Sequence, residues 1–186
     1  MKRMAVILCV VLLLSGCSSS EGDLDRAMAL REKLLAAKGC SFDAVITADY
    51  GDLSYTFSMN CTVDEQGNLR FSVLEPQTIT GISGNVSATG GKLTFDDKVL
   101  AFSLMADGLV TPVSAPWLLV KTLRSGYLTS CGQEGQYLRL SIDDSYAQDA
   151  LHLDVWLGKE DIPVRGEIFW QGRRLLSIQV ENFTFV

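Results

Sequence analysis

The chain has 186 residues, 47% hydrophobic and 20% charged, with 16 Gly and only 4 Pro, a composition that excludes both a disordered chain and a collagen-like repeat. Its formal net charge of −6 repels phosphate backbones, so an electrostatic nucleic-acid footprint is excluded. A single histidine, His152, rules out His-rich metal sites and leaves any Ser-His or Cys-His arrangement dependent on that one residue.

Met1 to Met4 is a short basic segment, Ala5 to Leu14 is an apolar run, and Leu14-Ser15-Gly16-Cys17 follows. The run is too short to span a bilayer as a mature helix, which takes about 20 residues. Residues 1–16 read as a cleaved signal peptide, and Leu14 to Cys17 look like a bacterial lipobox, whose cysteine thiol takes a diacylglyceryl group with chains of the palmitate type. Two acyl chains anchor a protein stably where one is marginal. Residues 17–22 are then the lipidated Cys17 and a short polar tether, and residues 23–186 form a single domain. The expected location is the cell membrane, lipid-anchored on its extracytoplasmic face. Ser18 is compatible with outer-membrane sorting in a Gram-negative envelope; in a Gram-positive one the outer leaflet of the plasma membrane is the only destination. Losing Lys2 and Arg3 with the leader makes the mature chain still more acidic.

Export leaves Cys40, Cys61 and Cys131 in an oxidising compartment. Cys40 and Cys61 lie at nearly equal distances from a hairpin centred on Gly51-Asp52 and share the parity of its apolar face, the arrangement of a cross-strand disulfide. Three reduced, buried cysteines acting as small hydrophobes are the alternative. Cys131 is left to be buried or to bridge two protomers; a sheet edge is a second route to a homodimer.

Asp23 to Lys38 is expected to be a helix, with Asp23 as N-cap, Leu24, Ala27, Met28, Leu34 and Leu35 at helical spacing, and Gly39 as the stop. From Phe42 the period changes to two. Strands are expected over Phe42 to Tyr50, Leu53 to Val63, Leu69 to Leu74, Thr78 to Ser83, Val86 to Ala88, Lys92 to Phe95 and Val99 to Leu104. Asp107 to Val113 reads as an apolar loop. Ser114 then caps a helix running to about Ser125, with Pro116 in its first turn and Leu119, Val120 and Leu123 on an apolar face. Strands resume over Tyr127 to Cys131, Tyr137 to Ile142, Leu151 to Leu157, Val164 to Gln171 and Leu175 to Phe185. The fold class is α+β, mainly β: an antiparallel sheet of about 10–11 strands, too wide to stay flat, with an N-terminal helix and one inserted helix on its concave side.

This layout resembles the LolA/LolB-like lipoprotein-carrier superfamily of unclosed half-barrels. The likeness is carried by the helix Leu24 to Leu35 and the strands Ala44 to Asp49 and Tyr55 to Val63. It continues in the turn Gly67-Asn68-Leu69-Arg70 leading to a strand that ends at Pro76, and in the helix Ser114 to Leu123. The closing strands Pro163 to Ile168 and Leu175 to Phe185 complete it. Clostridial spore-germination lipoproteins, which act as partners of a cortex-cleaving amidase, are similar in layout. The resemblance implies an apolar concavity that accepts acyl chains or an apolar protein segment; with the lipobox, a single histidine and no catalytic or nucleotide-binding motif, the expectation is a non-catalytic, membrane-anchored protein with no cofactor and no metal. The partners implied are a lipid or acyl chain, or an envelope protein. The alternative function is a tethered scaffold that holds or activates an envelope or spore-cortex enzyme.

The candidate ligand-lining residues are Tyr55, Phe57, Met59 and Phe71 on early strands, Trp117, Leu119, Val120 and Leu123 on the inserted helix, and Leu153 and Val155 on a late strand. Simple core packing is the competing reading for each. Leu109, in the apolar loop, is the candidate partner contact. The pairs Asp96-Asp97, Asp143-Asp144 and Glu160-Asp161 sit beside expected turns, where carboxylates serve local hydrogen bonding. His152 alternates with Leu151 and Leu153 and is expected on the polar face beside Asp154 and Trp156. A glycan-stacking platform of Trp156 with Phe169 or Trp170 is a further, weaker reading of that face.

Overall fold

A computed structural model describes residues 21–106 and 109–186 of the chain. The expected signal peptide, the lipobox with Cys17, and Asp107 and Gly108 of the apolar loop lie outside the described residues.

Helix α1 (Glu21–Ala36) leads into six antiparallel strands: β1 (Gly39–Asp49), β2 (Ser54–Asp64), β3 (Leu69–Glu75), β4 (Ser83–Ser87), β5 (Gly90–Phe95) and β6 (Lys98–Phe102). Two short strands, β7 (Met105–Ala106) and β8 (Leu109–Val110), pair as a separate hairpin ahead of a 3-10 turn at Pro112–Ser114 and helix α2 (Ala115–Ser125). Five more strands follow: β9 (Tyr127–Glu134), β10 (Tyr137–Asp143), β11 (His152–Leu157), β12 (Pro163–Trp170) and β13 (Arg173–Phe185).

All but β7 and β8 join one sheet of order β6-β5-β4-β3-β2-β1-β13-β12-β11-β10-β9. The first meander walks outward from β1 to the edge strand β6, and the second walks inward from the opposite edge, β9, to β13, which closes against β1 from Cys40↔Phe185 to Ala48↔Leu176. The chain must therefore cross from one edge of the sheet to the other between β6 and β9. Helix α2 makes that crossing over the apolar face and contacts β2, β10, β11 and β13. The sheet stays open, with β6 and β9 as its edges.

Alternation decides which residues face α2. Phe42, Ala44, Ile46 and Ala48 of β1 and Phe57, Met59, Cys61 and Val63 of β2 are buried, and Leu138, Leu140, Ile142, Leu153, Val155, Ile168 and Ile178 continue that face across the second meander. Helix α1 covers α2 from outside, burying Ala27, Leu30 and Leu34.

Four expectations are corrected. Thr78 to Ser83 is a turn rather than a strand: Pro76 ends β3, the Ile79 amide donates to the Pro76 carbonyl at 3.0 Å, and β4 begins only at Ser83. Helix α1 already includes Glu21 and Gly22, so Asp23 lies within it and accepts a hydrogen bond from Gln133 at 2.8 Å rather than serving as N-cap. Leu24, Met28 and Leu35 are exposed, because the stripe that packs is Ala27, Leu30 and Leu34. Finally, the β1–β2 register sets Cys40 opposite Val63 and Cys61 opposite Phe42, so the two cysteines are diagonal neighbours one same-face step out of line, and both thiols are free and buried. A cross-strand disulfide needs directly opposed positions, and the four-residue connection from Tyr50 to Leu53 shifts the hairpin centre away from the point that would oppose them.

Candidate functional site

Nine of the ten lining candidates, all but Tyr55, are buried. Met59, Leu119, Leu153 and Val155 retain no accessible surface at all, and a side chain bordering a space wide enough for a water molecule would retain some. At these positions the concave side is packed, and α2 is what packs it. The helix is held firmly in place. The Trp117 indole N–H donates to the Gly67 carbonyl at 2.9 Å and Arg124 to the Glu65 carbonyl at 2.9 Å, tying α2 to the β2–β3 turn. From the other side Arg31 of α1 donates to the carbonyls of Leu123 and Gly126 at 2.9 and 2.8 Å. Lys121 reaches the Asp144 carbonyl at 3.1 Å.

The wing formed by β4, β5 and β6 lies beyond α2. Register carries the inward face outward in two rows. Phe42, Cys61, Phe71, Gly84, Leu93 and Leu100 stand successively opposite one another, and Val63, Leu69, Val86, Gly91 and Phe102 form the parallel row. Two glycines in these rows make room for rings: a Cβ on Gly84 would stand 2.8 Å from the Phe71 ring, and one on Gly91 would stand 2.1 Å from that of Phe102. Burial falls away along each row toward the edge. Leu93 and Phe102 are half-buried, Phe95 is 44% exposed and Leu100 is 64% exposed. Lys98, opposite Phe95, shares this face and brings an ammonium group to the apolar strip.

Tyr55, the remaining lining candidate, also faces inward, opposite Ala48 at the end of β2, and is half exposed. The expected apolar loop is largely the β7–β8 hairpin and the 3-10 turn after it. Leu109 is 37% exposed, while Val110 is buried and its carbonyl accepts a hydrogen bond from the Tyr50 hydroxyl. Burial pushes that phenol up to about 12. The sequence reading missed Phe95 and Leu100, although their signal was present. Asp96 and Asp97, both at positive φ, make a two-residue turn, and such a turn fixes Leu93 against Leu100 and Phe95 against Lys98.

The outer face of the second meander carries the charges. Asp154, buried, accepts hydrogen bonds from Arg139 and Ser141 at 2.6 Å each. Burial alone would raise its carboxyl, but these two donors and the nearby Arg139 and His152 outweigh that and hold it below the ordinary carboxylate value. His152 faces this side as expected, with Nδ1 2.8 Å from Asp143 and Nε2 3.4 Å from Asp154. Glu167 is clasped by Arg165 and Arg174, the latter at 2.9 Å. Trp156 is buried, with the Arg165 guanidinium 4.3 Å and that of Arg139 5.5 Å from its ring centre. Register places Phe169 opposite His152 rather than beside Trp156, and the glycan-platform reading is withdrawn. An open groove of about 660 Å³ runs past Tyr137, Trp156 and Arg165 on this meander, and one of about 680 Å³ runs past Thr56, Leu74 and Thr80 on the first. Among the described residues no group of His, Cys, Asp and Glu is placed to hold a metal ion.

No family model matches the chain, and no curated protein matches it in sequence. Solved structures resemble it over most of its length at low identity. A LolA-superfamily protein of Nitrosomonas europaea is 9% identical, covering 91% of this chain and 94% of that one with a TM-score of 0.48. The lipoprotein LppX of Mycobacterium tuberculosis is 10% identical over 87% of this chain and 93% of that one, with a TM-score of 0.41. The MucA/MucB complex of Pseudomonas aeruginosa gives 13% identity over 88% of this chain and 57% of that one, with a TM-score of 0.40. The superfamily name that the sequence layout suggested thus recurs among the structures it resembles. The open, helix-filled half-barrel itself rests on the strand order and register described above.

Proposed function

We propose that this protein is a non-catalytic binding protein, anchored through Cys17 to the extracytoplasmic face of a bacterial membrane, that takes an acyl chain or similar apolar ligand against the inner face of the β4–β6 wing. One observation carries the reading: the concave face is continuous, but α2 packs on it over β2, β10, β11 and β13, and beyond it Leu93, Phe95, Leu100 and Phe102 of β5 and β6 form an accessible apolar strip beside Lys98. Isolated exposed leucines need no explanation, whereas a strip continuous with the core does. An apolar tail laid along the strip replaces water on these side chains, and the Lys98 ammonium suits a carboxylate or phosphate head. His152, the one histidine, is engaged by Asp143 and Asp154 on the opposite face, away from this strip.

The candidates Phe57, Met59, Phe71, Trp117, Leu119, Val120, Leu123, Leu153 and Val155 are packed as core in this conformation, and Tyr55 stays accessible at the end of β2, away from the strip. Titrating a fluorescent fatty acid into the soluble chain beginning at Ser18 tests the reading. Saturable binding is expected, weakened roughly tenfold or more by Leu100→Asp, the cost of losing about 1.5–3 kcal/mol of leucine burial. Absence of saturable binding by the parent, or an unchanged Leu100→Asp, overturns it.

A second reading, the tethered partner scaffold, is supported by the β6 edge. Among the described residues no strand pairs with its outer side, and Val99 and Leu100 stand exposed on its two faces, the pattern used for strand addition. Leu109, exposed on β8, is its second contact; Leu109→Glu is expected to lose the partner in a pull-down from envelope extract while leaving acyl binding intact.

A further inference from the structure

We propose that the flank of α1 bearing Leu24, Met28 and Leu35 rests on the surface of the same bilayer that holds the Cys17 anchor, an inference that depends on that anchor and adds how the domain lies on the membrane. At 100° per residue these three side chains fall within about 40° of one another on the helix, well to the side of the Ala27, Leu30 and Leu34 stripe that packs on α2. They are 46%, 46% and 56% exposed. Arg31 falls in the same stripe, but its guanidinium is turned inward onto the Leu123 and Gly126 carbonyls, so no charge interrupts the apolar line. A shallow groove of about 650 Å³ runs past Met28, Arg31 and Leu35.

The tether identifies the occupant. Only Ser18, Ser19 and Ser20 separate Cys17 from Glu21 of α1, so Glu21 lies no farther than about 14 Å from an acylated cysteine seated at the lipid interface. A helix of 16 residues is about 24 Å long. Leu24 is thus kept within about 20 Å of the lipid interface whatever the domain does, and an apolar flank confined so near the bilayer, at high effective concentration, docks without needing much intrinsic affinity. Glu21, Asp25 and Glu32 border the stripe, so the surface suited to it is zwitterionic rather than anionic.

The test uses the full chain expressed with its leader, its acyl mass verified, and reconstituted in phosphatidylcholine vesicles. A benzophenone amino acid is placed in turn at Leu24, Met28 and Leu35, with Lys33 on the far side of α1 and Val99 on the wing as controls, and lipid adducts are counted after irradiation. Several-fold more adduct at the three stripe positions than at either control is expected. Equal labelling at all five, or most at Val99, overturns the inference while leaving the anchor standing. A mature chain without acyl mass overturns the anchor and this inference with it.

Discussion

Single residues show how the sheet disposes of its reactive and charged groups. Cys40 and Cys61 face inward, and burial pushes the Cys40 thiol up to about 11 despite the nearby Arg124, and the Cys61 thiol higher still. Burial and, secondarily, Asp23 also raise Cys131, which is only partly buried. A thiol reagent at pH 8 should therefore modify Cys131 alone in the folded soluble chain and all three cysteines in denaturant; a single reactive thiol in denaturant would reveal the disulfide that the register argues against. Asp154 makes a second prediction at this scale. Its carboxyl is held below its unfolded value of about 3.9, so its stabilising effect is complete above that pH and fades as pH falls through the lower, folded value. The urea midpoint of Asp154→Asn should lie clearly below that of the parent at pH 7, and the gap should narrow as the pH is taken below about 4. A gap independent of pH would mean that packing rather than charge holds Asp154 in place.

At the level of elements, α2 is the piece on which the interior depends. The apolar positions that marked it in the sequence, Trp117, Leu119, Val120 and Leu123, are those that fill the concavity, and even Leu118 is buried because α1 lies over its back. What a helical pattern does not reveal is that a second helix will cover the first, which is why the spacing groups Leu24, Met28 and Leu35 with Ala27 and Leu34, although only Ala27 and Leu34, joined by Leu30, are buried. Those residues share helical spacing with Ala27 and Leu34, and only the position of α2 chooses between the two stripes. The strands were easier, since a period of two leaves a single buried face, and β1, β2, β10 and β13 stand within a few residues of their expected limits. Thr78 to Ser83 failed because β-branched residues after a proline resemble a strand until the turn's own hydrogen bonds are seen. Arg31 links the two helices through two charge-assisted bonds to α2's C-terminal carbonyls. Arg31→Ala should cost about 1.5–3 kcal/mol in urea unfolding, and amide exchange should quicken in α2 more than in β1 and β13. Equal acceleration throughout would show that α1 acts on the whole sheet and not on α2 as a latch.

Over the whole molecule, two meanders joined at β1 and β13 make one continuous concave face, and a single crossing helix cannot cover all of it. The face is packed like a core under α2 and outward as far as Val86 on β4, and becomes accessible at Phe95 and Leu100 on β5 and β6. The general outline, an open half-barrel with one filling helix, was legible because a sheet this wide must curl and only one internal helix was available to fill it. The location of the accessible strip was not, since residues chosen for their apolar parity alone, Met59 and Val155 among them, satisfy a core and a ligand site equally well. Burial along a row distinguishes them, falling from Cys61 through Leu93 to Leu100.

The most direct measurement is native mass spectrometry, without detergent, of the exported soluble chain beginning at Ser18, set beside its Leu100→Asp variant. A lipid-derived mass that accompanies the parent and is lost from the variant is the expected result. A parent that flies bare from lipid-containing cells, or a variant that keeps the same cargo, would contradict a binding strip on the inner face of the β4–β6 wing.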